Sequence, residues 1–149
     1  MDALTIALIL GGLIAVSTVV GLVLRSREGR LTTVSQHTLI TTAELGPLVH
    51  FGPSATLLQF STEYCTKCPG TRAYLGQVAS QTPGVNHVEV DITNRQDLAN
   101  KYKIMQTPTT FILDDTGAVA ARIGGAPRPD AVTAALVIAL KKDVDSYVI

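Results

Sequence analysis

Charge of one sign is what this sequence lacks first: 12 Lys and Arg stand against 12 Asp and Glu in 149 residues, and the isoelectric point is near 6.8. A neutral chain offers no electrostatic case for nucleic acid or for an acidic substrate. Cysteine is scarce as well, with only Cys65 and Cys68 present. Two cysteines cannot staple a small secreted scaffold. One Cys-x-x-Cys pair also cannot fill the four positions of a structural zinc site without help from the three histidines or a second chain, so neither a metal nor another cofactor is expected. His37 and His50 have no sequence partners that suggest ligation. Internal repeats and low-complexity tracts are missing too, and the length suits one domain with an appendage.

The appendage is apolar. Ala3 to Leu24 carries no charged side chain, and at ~1.5 Å per residue such a helix just crosses a hydrocarbon core of ~30 Å. Residues 1–25 therefore read as a single transmembrane anchor. A cleaved signal peptide is the alternative, but it calls for a basic leader and a small-residue cleavage site, and the only charge ahead of the run is Asp2. Ser17 and Gly21 form a small-xxx-small pair that suits contact with another helix. No Lys or Arg precedes the span, whereas Arg25, Arg27 and Arg30 follow it, so the positive-inside bias places the rest of the chain in the cytoplasm. An extracytoplasmic placement keeps the same chemistry and is the topological alternative.

Residues 26–36 are polar, with little periodicity, and read as a basic linker. The domain then runs over 37–149. His37 to Ile40 is a short strand candidate, and Thr41-x-x-Glu44 is a capping-box pattern for a helix to about Val49. After the turn Gly52-Pro53-Ser54, Ala55 to Ser61 is an apolar run of strand length, as in a strand buried on both faces. A helix is predicted from Thr66 or Cys68 to about Ser80, where Pro69 fits only the first turn. Next come a strand over Val85–Asp91, a helix capped by Thr93 and Gln96 through about Tyr102, and a hairpin of Thr109–Leu113 with Ala118–Ile123 across Asp114-Asp115-Thr116-Gly117. Pro129 to about Lys142 closes the chain as a helix burying Val132, Leu136, Ala139 and Leu140.

Two thiols three positions apart at a strand-to-helix junction are a redox pattern. With Leu57-Leu58-Gln59-Phe60 ahead of the cysteines, Val88-Glu89-Val90-Asp91 in the following strand, Lys101 to Thr109 ending in Thr107-Pro108-Thr109, and Gly117-Ala118-Val119 in the hairpin, the chain resembles a membrane-anchored member of the thioredoxin family. The resemblance covers about residues 37–142. It implies an α/β thioredoxin-like fold, a central mixed sheet flanked by helices, and a thiol-disulfide oxidoreductase that acts on protein or small-molecule disulfides, with a separate electron donor.

Physics assigns the thiols. The thiolate is the attacking species, and free N–H groups at a helix start lower a thiol pKa from ~8.5 into about 3.5–7.5. Cys65, at the helix edge, is the expected nucleophile. Cys68, one turn in, is the expected resolving thiol. Lys67 adds a nearby cation that further favours a thiolate, unless it is merely solvated. By resemblance, Pro108 is a cis-proline packed against the sulfurs, and the backbone of Thr107 pairs with an extended substrate segment. Tyr64 stands where the family usually has Trp, a residue absent from this chain, and is expected to shield the sulfur or present a docking surface.

The chain departs from the family pattern at Gln59, where thioredoxin has a buried Asp, and at His87, where it has Lys. Gln59 cannot take a proton from the resolving thiol. His87 is either a proton carrier or a surface histidine at a strand end. With Gln59 for the Asp and Tyr64 for the Trp, a rival role is open to the domain, as a non-catalytic docking module for membrane partners. If the chain is catalytic and cytoplasmic, the redox poise of the cytosol makes it a reductant.

Overall fold

The computed structural model describes residues 2–33 and 38–146. A long helix, α1 (Ala3–Arg27), precedes β1 (Leu31–Thr33), α2 (Thr42–Leu45), β2 (Ala55–Ser61), α3 (Cys68–Gln81), β3 (Val85–Asp91), α4 (Gln96–Lys101), β4 (Thr109–Asp114), β5 (Val119–Gly124) and α5 (Pro129–Ser146). The strands form one mixed sheet in the order β1-β5-β4-β2-β3. β2 and β3 run parallel, and the other neighbours are antiparallel. This is the mixed-sheet architecture that the family resemblance implies.

β2 is the hub because it pairs on both edges and is covered on both faces. All seven of its residues are buried, which is why its sequence is apolar without alternation. Leu57 faces α3 and α5, in a core with Leu75, Ile112, Ile123, Val132 and Leu136. Leu58 and Phe60 face the opposite layer, with Ile40, Leu98, Tyr102 and Phe111. There Phe60, Tyr102 and Phe111 meet at ring separations of 5.3–6.0 Å, two of the three pairs edge to face, the arrangement favoured by the aromatic quadrupole.

Several elements differ from the sequence expectation, among them the closing helix, which runs to Ser146 rather than about Lys142. Within the predicted linker, Leu31–Thr33 forms the edge strand β1 and pairs Leu31 with Ile123. Three residues are too few to show a period, and the partner strand supplies the reason for the pairing. His37, in the predicted first strand, lies outside the described residues, and the described part of that stretch reaches the sheet only through the isolated bridge between Leu39 and Ala118. The predicted helix to Val49 stops at Leu45. Gly46 has φ 139°, and Pro47 after it disfavours helical geometry at the preceding residue. The helix before Tyr102 begins after Arg95 rather than at Thr93. Thr93 is engaged in a turn in which its N–H donates to Asp91 Oδ1 at 2.8 Å.

Helix α1 has no buried residue. At ~1.5 Å per residue its 25 residues reach about 38 Å, enough to cross a membrane by length and composition.

Candidate active site

The end of β2 and the start of α3 set the first half of the site. After Ser61 the chain makes two turns, with Cys65 N–H donating to Thr62 O at 3.2 Å and Cys68 N–H donating to Cys65 O at 3.3 Å. The helix then starts at Cys68, with Pro69 in its first turn where the missing N–H costs nothing. The two cysteines are joined as a disulfide, with S–S 2.13 Å and Cα–Cα 5.4 Å. Cys65 is half-buried and Cys68 is 2% exposed, an asymmetry created by placing one thiol in the turn and the other inside the first helical turn.

The loop before β4 sets the second half. The Thr107–Pro108 bond is cis. Thr107 Oγ1 lies 3.2 Å from Thr62 Oγ1, which links the two loops, and Pro108 O accepts from Gly125 N–H at 2.8 Å. A depression of about 290 Å³ opens between the halves, over Cys65, Tyr64, Lys67 and Thr107. Tyr64 lines the same depression as Cys65 and is 82% exposed, so its ring is open to a partner. The structure thus brings Cys65, Cys68, Tyr64, Thr107 and Pro108 to one end of the sheet.

Beneath the sulfurs lies a polar network. Gln59 is fully buried. Its Nε2 donates to Cys68 O at 3.2 Å and to Glu89 Oε1 at 3.4 Å, and its Oε1 lies 3.1 Å from His87 Nε2. Glu89 in turn pairs with Arg72 of α3. His87 is therefore half-buried and engaged rather than a free surface histidine. Burial holds its pKa below the ordinary imidazole value; Glu89 pulls the other way and Arg72 reinforces the drop. A second depression, of about 230 Å³, reaches the disulfide from this side, past Arg72, Glu89 and Asp91.

Glu28, Arg72 and Glu89 were not singled out by sequence reasoning. For Glu89 a clue existed: β3 pairs His87 with Leu57 and Glu89 with Gln59, so alternate residues of that strand share the face of α3. For Glu28 there was none. It follows α1 directly, yet its Oε2 lies 2.8 Å from Lys67 Nζ, between the cysteines. The Lys67 ammonium, by hydrogen bond and by charge, holds the Glu28 carboxyl below its usual pKa, so Lys67 is neither simply solvated nor free to serve the sulfur alone.

A cysteine pair at a helix start, one partly accessible and one buried, sharing an open groove with Thr107 of the cis Thr107–Pro108 bond, is the working end of a thiol-disulfide oxidoreductase. Comparison with known proteins gives the lineage. The family model described as Thioredoxin matches residues 39–137, and the chain belongs to the thioredoxin family. Thioredoxin C-2 of Corynebacterium nephridii is 33% identical over 73 residues, 48% of this chain and 68% of that protein. An H-type thioredoxin of Fagopyrum esculentum is 28% identical over 74 residues, 50% of this chain and 63% of its own length. Among solved structures, a thioredoxin variant from Halobacterium salinarum superposes with a TM-score of 0.51 at 22% identity, covering 58% of this chain and 75% of the other. Spinach chloroplast thioredoxin F gives 0.50 at 22% identity over 58% and 78%. The structural likenesses speak to the fold. The matched residues begin after α1, which stands outside the family domain.

Proposed function

We propose that this oxidoreductase is tethered to the membrane by α1 and works as a reductant of disulfides on the cytoplasmic side. The observation that carries the chemistry is the contrast between half-buried Cys65, at the mouth of the groove, and Cys68, 2% exposed beneath it. The tether is supported by the length and apolar composition of α1. The side is supported by Arg25, Arg27 and Arg30, which directly follow the span.

In the reduced state the Cys65 thiolate attacks one sulfur of a substrate disulfide. A Cys65–substrate bond forms as the substrate S–S bond breaks, and the first substrate thiolate leaves and takes up a proton. Cys68 loses its proton and attacks the Cys65 sulfur; the Cys65–Cys68 bond closes and the second substrate thiolate leaves. Two electrons pass to the substrate, and the pair ends as the disulfide present in the structure. A dithiol or quinol-linked donor returns it to the dithiol. Thr107 offers its backbone to an extended substrate segment, with Pro108 against the sulfurs and Tyr64 as the flat contact at the rim. Since Gln59 cannot ionise, the proton of Cys68 exits through the polar depression beside Arg72, Glu89 and Asp91.

Reduction of insulin disulfides by the full chain tests this. Cys65→Ser is expected to abolish turnover, and Cys68→Ser to accumulate mixed disulfides that survive denaturation without reductant. Full turnover by the double variant would overturn the proposal.

A further inference from the structure

The end of α1 does more than hold the domain near a bilayer: it is fastened to both halves of the redox site. Glu28 Oε2 is 2.8 Å from Lys67 Nζ in the cysteine turn. Gly29 N–H donates to Gly124 O at 2.8 Å, and the next residue, Gly125, donates its N–H to Pro108 O at 2.8 Å. Arg128 Nη2 adds a bond of 3.2 Å to Ser26 O. The approach is close. Gly29 has φ +71°, and a Cβ on it would sit 2.4 Å from Ala126 O, so the crossing admits only glycine there.

These contacts limit how far the sulfurs can stand from the membrane. The apolar run ends at Leu24, and Glu28 lies four residues on, about 6 Å of helical rise. The head-group layer on one side of a bilayer is about 5–8 Å thick. Glu28 is therefore at the outer edge of the head groups, and Lys67, in ion-pair contact with it, is at that height too. Tipping the domain about the end of the helix cannot take the cysteine turn farther away than one side-chain length while these bonds hold. Around the site the surface suits such a place. Tyr64, which lines the groove with Cys65 and Thr107, is 82% exposed, Lys67 stands in the same lining, and Arg128 is bonded to the end of α1. Aromatic and basic side chains are the residues enriched at head-group level.

We propose that the substrates are disulfides held at the membrane surface, in juxtamembrane segments of integral membrane proteins on the same side as the domain. This rests on the anchor and the redox role proposed above. A partner in the same bilayer presents its cysteines at the height of Cys65 and meets it as a confined neighbour, at raised effective concentration. A bulky soluble protein has to enter between the domain and the head groups.

The test uses the full chain in vesicles of phosphatidylethanolamine and phosphatidylglycerol. It reduces one disulfide-hairpin peptide in two forms, free in solution and fused directly after a transmembrane helix in the same vesicles. The variant carries a flexible Gly/Ser insertion of about 40 residues between Arg27 and Glu28, with an r.m.s. span of about 35 Å; it keeps the Glu28 and Gly29 contacts and releases the domain from the surface. The tethered-to-free rate ratio is expected to fall at least fivefold in the variant, with the free-peptide rate equal or higher. An unchanged ratio overturns the inference. A second measurement needs no insertion: a bimane label on Cys65 of the Cys68→Ser chain is expected to be strongly quenched by head-group nitroxide lipids, and an unquenched label overturns the inference as well. Release of the chain from vesicles by alkaline carbonate would instead sink the anchor, and failure to reduce even the free peptide would sink the redox role. Either result is distinct from an unchanged ratio and removes the premise on which this inference stands.

Discussion

Gln59 shows how much of the site's character sits in one side chain. It is an amide where the family keeps a carboxylate, and it spends its hydrogen bonds on Cys68, Glu89 and His87. His87 thereby becomes part of the support of the site, and its titration becomes a property of the fold. An ordinary imidazole titrates near 6.5. Burial lowers the folded value, so the native state binds that proton less tightly than the unfolded chain. The contribution of His87 to stability is thus complete above about pH 6.5 and is lost as pH falls through the depressed folded value. Glu28, Glu44, Asp91 and Asp97 also have lowered pKa values, but from ordinary ones of 4.5 or less, so they act in a more acidic window. Urea unfolding of the wild type is expected to show stability declining from pH 6.5 toward pH 5, and His87→Gln to flatten that slope. An equal slope in the two proteins would show that His87 is not the group responsible. Cys65, Cys68 and Pro108 could be located from spacing and resemblance alone, because their motif is local. The engagement of His87 could not, because it depends on the register of β3 against β2.

Among the elements, those that could be read in the sequence carry their cause within themselves. β2 is a continuous apolar run, α3 has a helical apolar period with Pro69 at its start, and the β4–β5 hairpin is marked by Asp114 to Gly117. β1 has its cause elsewhere, in the edge of β5, whereas the early end of α2 is a local signal, Gly46-Pro47, that outweighs the capping-box pattern before it. Tight packing between elements is equally invisible in sequence, and two glycines separate it from mere permissiveness. A Cβ on Gly52 would lie 2.3 Å from Ala55 O and 2.6 Å from Asn86 N, both backbone atoms at the start of the β2–β3 pair. In the middle of α3, a Cβ on Gly76 would find His87 Nδ1 at 3.9 Å, its only neighbour within 4 Å. Gly52→Ala is accordingly expected to cost about 1–3 kcal/mol through overpacking, and Gly76→Ala to gain about 0.5–1 kcal/mol from helix propensity. Chemical denaturation of both variants checks the pair. Equal effects of one sign would mean that the close approach at Gly52 does not govern the start of the sheet.

For the molecule as a whole, the direction of chemistry follows from which side of the bilayer the domain occupies. A Cys-x-x-Cys pair in the cytosol is kept reduced and acts as a reductant, whereas the same pair outside meets an oxidising environment. Helix α1 carries three arginines in or just after its last turn, close to the span, where basic residues govern insertion most strongly. The same end of the helix meets the site through Glu28 and Lys67, so in the proposed anchored form the arginines and the sulfurs share one side. A membrane-impermeant maleimide reads this directly, because half-buried Cys65 is the accessible sulfur once Cys68→Ser removes its partner. Labelling is expected in inside-out vesicles and not in intact cells, and the intact mass of the purified chain is expected to retain residues 3–24. Rapid labelling in intact cells with that mass retained would reverse the topology, moving the same two-thiol exchange to an oxidising side where a dedicated electron supply through the membrane becomes obligatory. A mass lacking the apolar run would instead make α1 a removed leader and leave the site facing bulk water.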